Sequence, residues 1–162
     1  MHTMPKMGHT IPDIRQGAES VKRTIAEHEI TGAILVAHSK GGLIGKYVLA
    51  HHNDDRRVKG LIAIATPFSG SRMAKIVPHT AFKELLPQSE ILRELEVYAD
   101  VNERIVSVIP EYDNHVWAEN GSYLEGATNK KVHCYGHHKV LFSRKVQDVV
   151  LESLREMEGK KF

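Results

Sequence analysis

Ser39 stands in the segment Ala37-His38-Ser39-Lys40-Gly41-Gly42, between an apolar run and a stretch with helical spacing. A serine on a strand-turn-helix junction, with small residues two before and two after it, has the shape of a nucleophile elbow. The backbone there turns so tightly that larger flanking side chains would collide. Ala37 and Gly41 meet that requirement, although Ala37 stands where the common pattern has glycine. Such a turn lifts the Ser39 hydroxyl out of the sheet at the N-terminus of the next helix. The partial positive charge there favours a developing oxyanion, with the backbone N–H of Lys40 as one donor. The competing reading of Ser39 is an ordinary helix N-cap; the strand-turn-helix setting favours the nucleophile.

A serine hydroxyl needs a general base, and the base needs a carboxylate to orient it. With an elbow of this kind the acid and then the histidine come later in the chain, after late strands. The loop after the third expected strand carries Glu111, Asp113 and His115, and the fourth is followed by Gly136-His137-His138. Asp113 is favoured as the acid because it opens a turn that re-enters apolar sequence, with Glu111 as second choice. His137 is favoured as the base, since Gly136 permits a tight turn before it and Leu141-Phe142 can dock the next helix.

The elements that must position these groups can be read from hydrophobic spacing. Pro12-Asp13 opens a helix with Ile14, Ala18, Val21, Ile25 and Ala26 on one face, ending at Thr31-Gly32. Ala33 to Ala37 reads as a strand buried on both faces. Leu43, Ile44, Tyr47, Val48 and Leu49 predict a helix to His51 or His52, and Val58 to Ala65 a second strand. Strand, helix, strand argues for a parallel sheet. The stretch from Arg72 to Asp100 has no strand and two or three helical patterns, the clearest being Ile91, Leu92, Leu95 and Tyr98. Arg104 to Ile109 and Lys131 to Tyr135 complete about four strands. A last helix is expected from Val140 to Met157, with Val146, Val149, Val150 and Leu154 facing inward.

Composition bounds the alternatives. The 162 residues are 41% hydrophobic and 26% charged, ordinary for one globular domain and too apolar for a disordered chain. A formal net charge of +2 with 6% aromatics gives no case for nucleic acid. No apolar run approaches the roughly 20 residues of a membrane helix. Met1 to Gly8 lacks the apolar core of a signal peptide, so the cytoplasm is the default location. A single cysteine, Cys134, excludes a disulfide scaffold; it is expected to be buried, with His133 on the opposite face. The 11 histidines include the adjacent pairs His51-His52 and His137-His138, which do not converge, and no metal-ligand spacing occurs. Neither a metal nor another cofactor is expected.

The elbow resembles that of bacterial triacylglycerol lipases of the α/β-hydrolase superfamily. Thr66-Pro67-Phe68-Ser69-Gly70-Ser71 is similar to the Thr-Pro-His-x-Gly-Ser segment of those lipases, Asp113 to Val116 to their acid turn, and Gly136-His137 with Val140 to Ser143 to their final Gly-His. The resemblance implies an α/β-hydrolase-like, mostly parallel sheet flanked by helices. It implies Ser39 as nucleophile, Asp113 and His137 as its partners, and a small-molecule ester or lipid as substrate. His38 stands where such lipases often carry histidine and is expected to be structural. Residues 67–100 are expected to form a helical, lid-like insertion in a domain spanning 1–162. There Phe68, Met73, Phe82, Leu85 and Leu86 would line an acyl pocket or form plain core. The chain departs from the family in lacking an upstream strand ending in His-Gly, whose loop supplies the second oxyanion N–H. Lacking one such donor typically costs about 100- to 1000-fold in rate. The elbow strand would then lie at a sheet edge, covered by the N-terminal segment, a second copy or another chain, and the domain is expected to be partial.

Overall fold

The structure is a computed structural model that describes residues 13–71, 74, 83–113 and 121–160. The N-terminal residues 1–12, the candidate pocket residues Met73 and Phe82, and the turn residues 114–116 lie outside the described residues.

Asp13 caps the first helix, α1 (Ile14–Glu27), its side chain accepting from the Gln16 N–H at 2.7 Å. Ile14, Ala18, Val21 and Ile25 are buried, whereas Ala26, expected on the same face, is exposed. One residue past Ile25 is a rotation of about 100°, which carries it to the solvent side. Gly17, which the spacing passes over, belongs to the inner face. A Cβ there would stand 2.6 Å from Ile44 Cδ1, so the glycine lets α1 close on the second helix.

The strands are β1 (Ala33–His38), β2 (Val58–Ile64), β3 (Ile105–Tyr112) and β4 (Thr128–Tyr135). They form one sheet in the order β1-β2-β3-β4, and every neighbouring pair is parallel. Between them lie α2 (Lys40–His51) and α3 (Glu90–Val97), and α4 (Arg144–Gly159) closes the chain. Among the described residues this is four parallel strands flanked by helices.

Alternation along β2 divides the core in two. Leu61 and Ala63 face a cluster built with α1, α2 and α3, including Ile14, Val48 and Leu92. Ile62 and Ile64 face the other cluster, with Val106, Val108, Val132 and, from α4, Val146 and Met157. Phe68 and Leu85 belong to the first cluster, and Leu86 packs against it.

Three boundaries differ from expectation. β3 runs past Pro110 to Tyr112, with a register irregularity between those residues; proline has no N–H to give the ladder. β4 begins at Thr128 and alternates, with Val132 and Cys134 buried and Lys131, His133 and Tyr135 exposed. The final helix starts only at Arg144, because Val140 sits in a separate 3-10 turn, Lys139–Phe142.

Lys46 is buried on α2, a helix covered on nearly all sides. Burial lowers its pKa from the ordinary 10.5 to about 8, against the weaker attraction of Glu96 and Asp100. Below pH 8 the amine is charged in both folded and unfolded chains, and the desolvation cost is felt in full. Between pH 8 and 10.5 the folded chain has released the proton that the unfolded chain still holds, so stability rises with pH. Lys46→Met is expected to stabilise the protein at pH 7. In urea denaturation, its advantage over the wild type should shrink between pH 8 and 10.5.

Candidate active site

The site is built at the carboxyl ends of the strands, where an open parallel sheet leaves its crevice. β1 passes into α2 through Ser39, whose backbone has φ 53° and ψ −127°. A non-glycine residue with positive φ is strained. Two hydrogen bonds hold it there: the Ser39 N–H donates to the Ile64 carbonyl at 2.9 Å, and its own carbonyl accepts from the Gly42 N–H at 3.0 Å. The serine side chain makes no capping bond to α2, so the N-cap reading does not describe it. A Cβ on Gly41 would already be 3.4 Å from Ala37 Cβ, contact distance before any larger group is added. On Gly42 it would fall 2.0 Å from Thr66 Oγ1 and 2.7 Å from Thr66 Cγ2. The spacing alone gives no reason for this second glycine; Thr66, packed against the first turn of α2, does.

Asp113 directly follows β3, and His137 follows β4 after Gly136, whose φ of 96° suits glycine. The two loops are tied by a bond from the Gly136 N–H to the Tyr112 carbonyl, 2.9 Å. The structure brings Ser39, Asp113 and His137 together. His137 Nδ1 lies 2.7 Å from Asp113 Oδ2, and His137 Nε2 lies 2.9 Å from Ser39 Oγ. Asp113 and His137 are both buried. A carboxylate only accepts, so Nδ1 carries the proton toward Asp113. In the neutral ring Nε2 is then the acceptor, and the Ser39 hydroxyl donates to it. Glu111, the second-choice acid, is exposed and pairs with His133.

Lys40 opens α2, so its backbone N–H lies in the first turn of that helix, directly after Ser39. Its side chain is buried and pairs with Glu84 at 2.7 Å. The Glu84 carboxylate also accepts from the Ile14 N–H, at 3.2 and 3.3 Å. One carboxylate thus joins the residue after the serine, the start of α1 and the segment before α3. Sequence reasoning missed Glu84, and nothing in its surroundings in the chain marks it out. Among the described residues no group of three or more His, Cys, Asp or Glu is arranged to hold a metal ion, and no helix is long and apolar enough to cross a membrane.

No family model matches the sequence, and no curated protein matches it. Solved structures do. The mature form of the Bacillus licheniformis lipase BlEst2 is similar with a TM-score of 0.62 at 17% identity, over 92% of this chain and 76% of that one. Its propeptide form gives 0.69 at 16%, over 94% and 42%. Aspergillus fumigatus lipase B gives 0.61 at 19%, over 74% and 34%. The chain therefore spans less than half the length of the last two. The likeness is one of fold: parallel strands flanked by helices, as in α/β-hydrolases.

The contact between Gly42 and Thr66 predicts the cost of a single methyl group. Gly42→Ala should destabilise the protein by about 1–3 kcal/mol through overpacking, read as a lower urea midpoint with unchanged slope. Adding Thr66→Ala should recover part of the loss.

Proposed function

We propose that this chain is a serine hydrolase that cleaves carboxylic esters, of lipase or esterase type, through an acyl-enzyme. The observation that carries the reading is the continuous hydrogen-bonded chain from Asp113 through His137 to Ser39, with links of 2.7 and 2.9 Å. In this reading Ser39 Oγ attacks the ester carbonyl while His137 Nε2 takes its proton. The substrate oxygen becomes an oxyanion facing the first turn of α2, with the Lys40 N–H as donor. Collapse breaks the bond to the alcohol oxygen, which leaves with the proton from His137. Water then attacks the acyl-serine, giving its proton to the same nitrogen, and the acid departs as Ser39 regains a proton. Asp113 holds the tautomer and stabilises the imidazolium. The likeness to lipases in fold supports an ester or lipid substrate.

A second reading, a binding or oligomeric module with impaired catalysis, is favoured by one feature. Among the described residues β1 has no neighbour on its outer side, and its Val36 is 49% exposed. Pairing with a second copy would cover that edge.

The two readings separate on the serine. The wild type is expected to hydrolyse p-nitrophenyl esters and to take a fluorophosphonate label, both lost in Ser39→Ala; equal rates in the two proteins would discard the enzymatic reading. Asp113→Asn should lower kcat by about 10⁴-fold through the wrong histidine tautomer. For the edge, sedimentation should show concentration-dependent association that Val36→Lys weakens. A monomer at all concentrations would count against pairing between copies.

A further inference from the structure

His38 ends β1 and immediately precedes Ser39. Its Nε2 lies 2.9 Å from the backbone carbonyl oxygen of His137. A carbonyl only accepts, so this nitrogen carries a hydrogen and donates it. The two rings also pack together, with centroids 4.6 Å apart and planes tilted by 45°. We propose that His38 is a positioning residue: by holding the peptide group of His137, it keeps that imidazole in register with Ser39. For its effect on rate the proposal rests on the serine-hydrolase reading; the contact itself stands on geometry.

The physical case starts with the loop. His137 follows a glycine with φ 96° and precedes a short 3-10 turn, so it is not held within a regular helix or strand. Its ring must nevertheless stay within hydrogen-bonding distance of a hydroxyl 98 positions earlier in the chain. The bond from His38 ties the base's own backbone to the residue next to that hydroxyl. A displacement of the loop by about 1 Å can cost about 100-fold in rate, which is the error such a tie prevents.

The choice of histidine also manages charge. Burial lowers the His38 pKa, and the neighbouring His137 and His138 lower it further, while its bond to the His137 carbonyl and the presence of Asp113 act the other way. The neutral ring still donates through Nε2. When His137 takes the serine's proton, it therefore does so without a second imidazolium stacked against it. Lysine or arginine could reach the carbonyl but would place a permanent cation there.

The test compares variants without a donor, His38→Phe and His38→Leu, with His38→Gln, whose amide nitrogen can occupy the place of Nε2. Either donor-free variant suffices if the other does not fold. Fluorophosphonate labelling of Ser39 and kcat should fall about 10- to 100-fold without the donor, with KM within about twofold, and His38→Gln should recover most of the loss. Independently of turnover, the Nδ1 proton of His137 should give a downfield NMR resonance in the wild type that is broadened or lost without the donor and kept in His38→Gln. Donor-free variants that retain both the resonance and the labelling rate overturn the proposal. If the wild type neither labels nor turns over, the serine-hydrolase reading fails, and the NMR comparison still decides whether His38 holds His137.

Discussion

The site depends on one backbone conformation, that of Ser39 at φ 53° and ψ −127°. Conformations of this kind cost about 1–3 kcal/mol and persist only where the surroundings overdetermine them. The surroundings here do so from two sides. The preceding strand ladder continues one step past its end, through the bond from the Ser39 N–H to the Ile64 carbonyl. The following helix is buried on nearly every side, and Leu43 and Val48 are wholly enclosed. Each such side chain contributes about 1.5–3 kcal/mol by leaving water, so two of them exceed the strain. α2 cannot turn to relax the elbow without exposing them. The neighbouring strand end repeats the device, since Ala65 has φ 49° and its N–H donates to the Val108 carbonyl.

Strand order then sets a problem of reach. Neighbouring strands lie about 4.8 Å apart, so β4 stands some three spacings from β1, yet His137 must touch Ser39. The structure meets this with the exits of the intervening strands. After β2, Thr66 is fully buried and packs against Gly42. β3 is extended past Pro110 to Tyr112, which moves Asp113 outward beside the histidine loop. Gly136 then turns the chain back, and its N–H bond to Tyr112 fixes the two loops to each other. Each partner of Ser39 is placed by the strand before it, and the distances between them are set by how those strands end.

Much of this is legible in the sequence because strong local patterns agree with the global fold. Small residues around Ser39, a glycine before His137 and unbroken apolar runs for the inner strands are demands of backbone and burial, and they survive in any single sequence. The features that stay hidden depend on contacts between distant residues. Gly17 is needed by Ile44, Gly42 by Thr66, and Glu84 by Lys40 and Ile14. Those partners are far apart in the chain, and no spacing rule links them. Ala26 and the start of α4 mislead for a simpler reason: an apolar residue at the end of a periodic run can belong to the next turn or the other face. His38 reads as merely structural in the sequence because its partner is a carbonyl, which carries no signature in side-chain types.

The two edges of the sheet are not equivalent. β4 faces outward with Lys131 and His133, and Lys130 pairs with Glu152 and Glu156 of α4. Charges of this kind are how natural sheets keep an edge from pairing with another strand. β1 carries none before its terminal histidine: it reads Ala-Ile-Leu-Val-Ala, the composition of a strand buried on both faces, yet its residues are only half-buried and Val36 is exposed. Among the described residues it has one neighbour, β2. The two strands lie in one sheet, so the difference is not a property of the fold class. It lies in the side chains: charged and paired along β4, apolar along β1. The same strand delivers His38 and Ser39, so the apolar end of the sheet and the candidate nucleophile share one stretch of backbone.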